Sequence, residues 1–218
     1  VIPHLPAREA RPARDSSLTY PAVKFDPVGG TLRLAGAWAV EIDDRRFGGL
    51  SALAFDDGAF LAVTDRGALI RFYPPGSNRQ TAKVEELRLG PGPYTGKRTR
   101  DAESLTRDPL GRGWWVGFEQ RHSLWLYDDD FQRVLDVVDL ARPDWTGNGG
   151  AEGLVVRNGR LLVLGENGID GISIRREGSR NVNIPTGAEI ADAARAPDGG
   201  SWVLLRQFGA DGISQSVA

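Results

Sequence analysis

From residue 31 onward the chain is built of short runs of alternating apolar and polar residues, broken by turn residues. Residues 102–107 alternate, a turn follows at 108–113, and 114–119 and 123–127 read as a second and a third strand. The same order recurs in GGLSALAFDDGAFLAVTDRGALIRFY at 48–73 and in GAEGLVVRNGRLLVLGENGIDGISI at 150–174. A weaker copy, IADAARAPDGGSWVLLRQF, occupies 190–208. The first unit is expected to hold strands at 51–55, 60–64, 68–73 and 83–89, and the second an outer strand at 133–140. The third carries an Asn158-Gly159 hairpin turn and an outer strand at 181–184. The fourth turns at 197–200 and ends in a third strand at 214–218.

Each unit has a marked residue at the start of its first strand and another at the end of its second. The pairs are Ser51 with Asp65, Glu103 with Glu119, Glu152 with Glu166, and Asp192 with Arg206. Three pairs are 14 residues apart and Glu103 with Glu119 is 16, because its turn is longer. A period of roughly 40–50 residues with four short strands per unit is the signature of a propeller blade. The fold class is therefore all-β, a β-propeller of four-stranded blades, with about four blades visible.

Residues 1–20 are rich in Pro, Arg and Ala and have no apolar period, which reads as an extended lead-in to a domain at 21–218. Residues 31–43 read as a strand that completes the last blade and closes the ring. Three blades and most of a fourth make a short ring, so C-terminal blades are expected beyond those visible here.

Composition narrows the functions. With 218 residues the chain can bury one sizeable core, and 28 Gly and 13 Pro suit many tight turns. A formal net charge of −2 gives no general attraction to nucleic acid or to an anionic membrane, and no apolar run is long enough to span one. The absence of cysteine excludes disulfides, thiolate zinc sites and cysteine nucleophiles. Methionine is absent too, as expected of a processed fragment or of a sequence in which methionine positions are not shown.

In a blade the first strand starts, and the second ends, at the same rim of the central channel. That geometry gathers Glu103, Glu152, Asp192, Asp65, Glu119 and Glu166 around one mouth, with Leu53, Leu105 and Leu154 packing between blades below it. Carboxylates held together repel and raise one another's pKa unless a cation compensates. A hard cation with oxygen ligands, calcium above all, is the natural compensator. Ser51, Asn148 and Asn167 offer further oxygens. The alternative is that acids at repeated positions brace turns by accepting backbone N–H bonds. Lys97, Arg98 and Arg100 lie in the link into the second unit, with Arg66, Arg121 and Arg206 at or beside second-strand ends. Together they suit an anion such as phosphate.

Other motifs fail. Residues 92–97 lack the glycine spacing and the following helix of a phosphate loop, and Arg98 stands where Ser or Thr is needed. Ser51 lacks the setting of a nucleophile elbow. His122 reads as a polar loop residue, and Trp114 and Trp115 as packing between blades.

The segments GGLSALAF…AVTDRG, RDAESLTRD…GWWVGFEQR and NGGAEGLVV…LLVLGEN, taken together, resemble the bacterial phytase-like domain family, labelled "esterase-like activity of phytase". The resemblance implies a six-bladed propeller, usually exported to the periplasm or secreted, with phosphoesterase or esterase activity on a small molecule. It carries onto Ser51, Asp65, Asp101, Glu103, Asn148, Glu152 and Glu166. The family's later Asp-Asn-Phe-Glu-Gly-type opening and final blade are not in this sequence. The functional expectation is a calcium-dependent hydrolase of phosphate or simple esters. In it Glu103 and Glu152 are catalytic, Lys97, Arg98 and Arg206 bind substrate, and Glu103, Glu152, Asp65, Glu119, Glu166 and Asn148 hold the metal. The alternatives are a non-catalytic propeller that binds a ligand or protein, and a calcium-dependent lactonase.

Overall fold

The computed structural model describes residues 11–24, 34–92, 97–140, 145, 149–175, 178–184, 186–209 and 212–217. They form four antiparallel sheets arranged as the blades of a propeller around one axis. Blade one contains β3 (Leu50–Asp56), β4 (Ala59–Thr64), β5 (Ala68–Phe72) and β6 (Thr81–Glu86). It also carries β1 (Arg14–Thr19) and β2 (Glu41–Ile42). After one helical turn, α1 (Lys97–Arg100), blade two follows as β7 (Ala102–Arg107), β8 (Trp114–Phe118), β9 (Ser123–Tyr127) and β10 (Val134–Asp139). Blade three is β11 (Ala151–Arg157), β12 (Arg160–Gly165), β13 (Asp170–Arg175) and β14 (Gly178–Asn183). Blade four is β15 (Glu189–Arg195), β16 (Ser201–Gly209) and β17 (Gly212–Val217). The innermost strands β3, β7, β11 and β15 lie side by side in chain order.

Local chemistry accounts for these hairpins. Asn158 (φ 51°) and Gly159 (φ 68°) both adopt the left-handed conformation that a two-residue hairpin requires. In blade two, Asp108 accepts bonds from Leu110 N, Arg112 and the Trp115 indole (2.8 Å), closing the β7–β8 turn. Asp128 does the same for the turn after β9, through Gln132 N and Arg133.

Apolar side chains hold the blades to one another. Ala52, Leu61, Val63 and Leu69 of blade one meet Leu105, Trp114, Val116 and Trp125 of blade two. The other face of blade two, through Trp115, Leu124 and Leu126, meets Leu154, Leu161 and Val163. Val155 and Leu164 then meet Ile190, Ala193 and Leu205 of blade four. Both tryptophans thus pack between blades, as their alternation predicts.

Two expectations fail at the N-terminus. Residues 14–19 are not lead-in but strand β1, which pairs antiparallel with β6 from Arg14↔Val84 to Ser17↔Thr81. The described part of 31–43 holds a single bridge, Trp38 to Ala22, and the two-residue β2, which pairs with β1 on blade one rather than completing the last blade. The reason is burial. Leu18 and Ile42 cover the outward face of blade one, against Ala62, Ile70, Phe72 and Val84. The folded unit therefore begins before residue 21.

Between blade one and blade four lies a cleft of about 660 Å³. The equivalent leucines show its effect. Leu105 (5% exposed) and Leu154 (1%) are sandwiched between blades, whereas Leu53 (47%) faces the cleft. Leu154→Ala is therefore expected to cost about 2–5 kcal/mol in urea unfolding, and Leu53→Ala no more than about 0.5 kcal/mol. Equal costs would contradict this order of blades.

Candidate functional site

Every inner strand begins with a β-bulge. Pairing shifts register between Leu50 and Ala52, Ala102 and Ser104, Ala151 and Gly153, and Ile190 and Asp192. The skipped residues are Ser51, Glu103, Glu152 and Ala191. A bulge re-aims the side chain it carries and bends the strand, which suits a residue at the rim of a channel. Asp192 is therefore not the counterpart of Glu103 and Glu152, as the spacing suggested. Ala191 is, and Asp192 matches Ser104 and Gly153. The second-strand residues stand as expected, since Asp65, Glu119, Glu166 and Arg206 each sit one place after or at the last residue that pairs with the inner strand.

Five carboxylates converge from blades two and three. Oxygens of Asp101, Glu103 and Glu119 lie within 4.8 Å of one another, and so do those of Glu119, Glu152 and Glu166. Glu119 belongs to both groups. Its position depends on Gly150, where an added Cβ would lie 2.9 Å from both Cα and Cγ of Glu119. Asp65 lies outside both groups. It faces Gly49 of its own blade and reaches Arg66 at 4.0 Å. Blade two carries Asp101 at the position of Gly150, and an aspartate is one methylene shorter than a glutamate. Asp101, buried at 1% exposure, is the member that the metal-ligand expectation omitted. Its signal was its place directly across from Glu119, whose N–H donates to the Asp101 carbonyl at 2.9 Å.

The basic residues divide. Arg206 Nη2 donates to Glu166 Oε1 at 2.8 Å, and its Nε lies 3.6 Å from Glu189 Oε2. Its charge is thus shared by two acids at the edge of the cluster. Arg100 is 2% exposed, with its side chain against Gly67 and Gly90. The side chains of Lys97 and Arg98, and all of Asn148, lie outside the described residues. His122 stacks edge-on to Trp145 at 5.8 Å between ring centres and belongs to neither carboxylate group.

Electrostatics separate the cluster from the ordinary acids. Hydrogen bonds from Arg46 hold Asp44 at about 2. Burial raises Asp108, but the bonds from Arg112 and Trp115 outweigh it and leave its pKa lowered. The cluster runs the other way. Burial, a hydrogen bond with Asp101 and the charges of Glu152 and Asp101 push Glu103 up to about 9, against a bond from Ser51. Burial and the charges of Glu166 and Glu119 push Glu152 up to about 8, opposed by Arg206. Burial also raises Glu166, and it raises Asp192 to about 6. Glu103, Glu152, Asp192 and Arg206 all line the cleft, whose opposite wall includes Trp38, Val40, Leu50 and Leu53.

The donor set fits a hard divalent cation. It is all oxygen and anionic, without nitrogen or sulfur ligands. Calcium–oxygen bonds of about 2.3–2.6 Å put ligands on opposite sides of one ion roughly 5 Å apart. Either group of three is compact enough for that span.

A pH prediction follows. Glu103 and Glu152 hold protons in the folded chain at pH values where the unfolded chain, near the ordinary 4.5, has lost them. Their contribution to stability is full below about pH 4.5 and is lost as pH rises through about 8–9. In chelator, the melting temperature is expected to fall between pH 5.5 and 9. Calcium, or Glu103→Gln, should flatten that fall. A metal-free profile that rises across this range would contradict the cluster.

The family model described as "Phytase-like: Esterase-like activity of phytase" matches residues 45–217. No curated protein matches the chain. Among solved structures, an auxiliary nutrient binding protein from Bacteroides thetaiotaomicron VPI-5482 has a TM-score of 0.51 at 12% identity, over 94% of this chain and 49% of that one. Kuenenia stuttgartiensis hydrazine synthase has 0.48 at 12% identity, over 78% and 45%. Virginiamycin B lyase from Staphylococcus aureus has 0.45 at 11% identity, over 77% and 69%. The chain spans about half the length of the first two, and at these identities the likeness is one of fold alone. The family match covers most of the chain and includes all four blades from β3 onward, so this protein belongs to the phytase-like family, described as esterase-like activity of phytase.

Proposed function

We propose that this protein is a cation-dependent hydrolase of small-molecule phosphate or simple esters, acting at the mouth of the cleft. The observation that carries the reading is the convergence of five carboxylates, largely withdrawn from water, in two groups joined through Glu119. Asp101, Glu103, Glu119, Glu152 and Glu166 are the residues that would hold calcium. Bound there, the ion would neutralise the cluster and polarise an ester oxygen.

The chain's own residues supply the rest. Glu152 lines the cleft, and without a cation its burial among like charges raises its pKa to about 8, a rise that a bound ion would offset. A carboxylate at that place, beside the ion, can take a proton from an attacking water and return it to a leaving oxygen. Glu103, bonded to Ser51 and Asp101, is held beside it for the same exchange. Arg206, oriented by Glu166 and Glu189, is the anchor for a negatively charged oxygen. Because that charge is already shared, and the facing wall is apolar, the cleft suits an ester with one apolar side better than a multiply phosphorylated one. The family supports a periplasmic or secreted setting.

The test is hydrolysis of nitrophenyl acetate and nitrophenyl phosphate, with a lactone beside them, with and without chelator. Chelation and Glu152→Gln are each expected to reduce turnover by about 10²-fold or more. Lactone turnover alone would make the protein a lactonase. No turnover at all, with chelator lowering only the melting temperature, would make it a binding propeller.

A further inference from the structure

Glu103 and Glu152 come from different sheets, so no strand ladder sets their separation. One side chain crosses that boundary directly beneath them. Ser104 is fully buried in β7, and its hydroxyl donates to the Ala151 carbonyl of β11 at 2.5 Å. Ser104 follows Glu103, and Ala151 precedes Glu152. The bond therefore ties one bulge to the other at the two positions that flank the register shifts. Room for it comes from Gly117, the strand partner of Ser104. A Cβ at Gly117 would overlap the Ser104 hydroxyl and lie 3.2 Å from the Ala151 Cβ.

No equivalent residue makes this link. Ala52 and Gly153 carry no polar side chain, and the Asp192 carboxylate turns back to accept from Ala193 N at 2.7 Å. The bulges of blades two and three are also the two whose skipped residues are both glutamates. The hydroxyl thus sits at the junction of the two blades that supply both carboxylate groups, with Glu103 in one group and Glu152 in the other.

We propose that Ser104 is a positioning residue, which sets the spacing of Glu103 and Glu152 by clamping the two bulges through the Ala151 carbonyl. It touches neither carboxylate's ligands nor the cleft, and it acts through the backbone that carries Glu152. The inference rests on the cation-holding reading above. By that reading, loosening the clamp weakens a cation shared by the two blades, as loss of an outer-shell hydrogen bond does at other metal sites.

Two measurements on Ser104→Ala test it. In chelator, amide exchange of residues 151–153 is expected to speed up while the rest of β11 keeps its protection. Terbium(III), titrated by tryptophan-sensitised luminescence, is expected to bind about tenfold or more weakly. Val116→Ala, in the core between blades one and two, is the control for a purely structural loss. It should lower the melting temperature and leave terbium affinity unchanged. Unchanged exchange at 151–153 would overturn the proposal, as would a loss of affinity matched by Val116→Ala. So would terbium binding undiminished in a folded Ser104→Ala. Should Ser104→Ala fail to fold, Ser104→Cys, somewhat larger and with a weak donor, is read in the same way. A wild-type protein that takes up no terbium would sink the hydrolase reading, and the exchange comparison alone would then decide the role of Ser104.

Discussion

Within each blade hydrogen bonds fix the register, but between blades almost everything rests on side-chain packing. β8 is the central plank of that arrangement. Trp114 and Trp115 are consecutive, so they point to opposite faces, one filling the core toward blade one and the other the core toward blade three. All five residues of β8 and all five of β9 are buried. Interiors packed at crystal-like density resist sliding. That resistance fixes how far a residue on β7 stands from one on β11, and the axis of the molecule takes its geometry from it.

Gathering like charges on the axis works against folding. Carboxylates removed from water and set beside one another are unfavourable unless protonated or neutralised. Acids elsewhere in the chain avoid the problem. Asp44, Asp108 and Asp128 each sit beside an arginine and backbone N–H groups that favour their charge. The contrast gives the central acids their meaning. The sequence admits two uses of a repeated acidic residue, as turn brace and as part of a charged site, and the structure shows both, in different places.

The strand pattern was legible because hairpins are local. Period-two alternation and turn residues place β7 to β9 nearly residue for residue and the start of β15 within one, and the second-strand ends fall in phase because short turns keep the count. What the pattern could not carry was anything that breaks the count or depends on distant chain. A bulge adds one residue without altering composition, so spacing alone points to Asp192 where Ala191 stands. β1 was invisible because three buried positions spaced by two, Ser16, Leu18 and the half-buried Tyr20, are too short a signal amid Pro and Arg. Asp65 and Glu119 look equivalent along the chain, and only the folded structure separates them, with Glu119 in both carboxylate groups and Asp65 in neither.

The pairing of β1 with β6 has a consequence for how the chain comes to be folded. Its partners are separated by more than the length of a whole blade, from Arg14↔Val84 to Ser17↔Thr81, so the loop closed is long and its closure is entropically costly. Synthesis runs from the N-terminus, and β1 is made well before the strand it needs. Until Thr81–Glu86 has left the ribosome, Leu18 has no permanent cover and the edge of β1 is open to other chains. The arginines at 11 and 14 that flank this nascent edge give it a positive charge, a feature that discourages identical edges from joining while they wait.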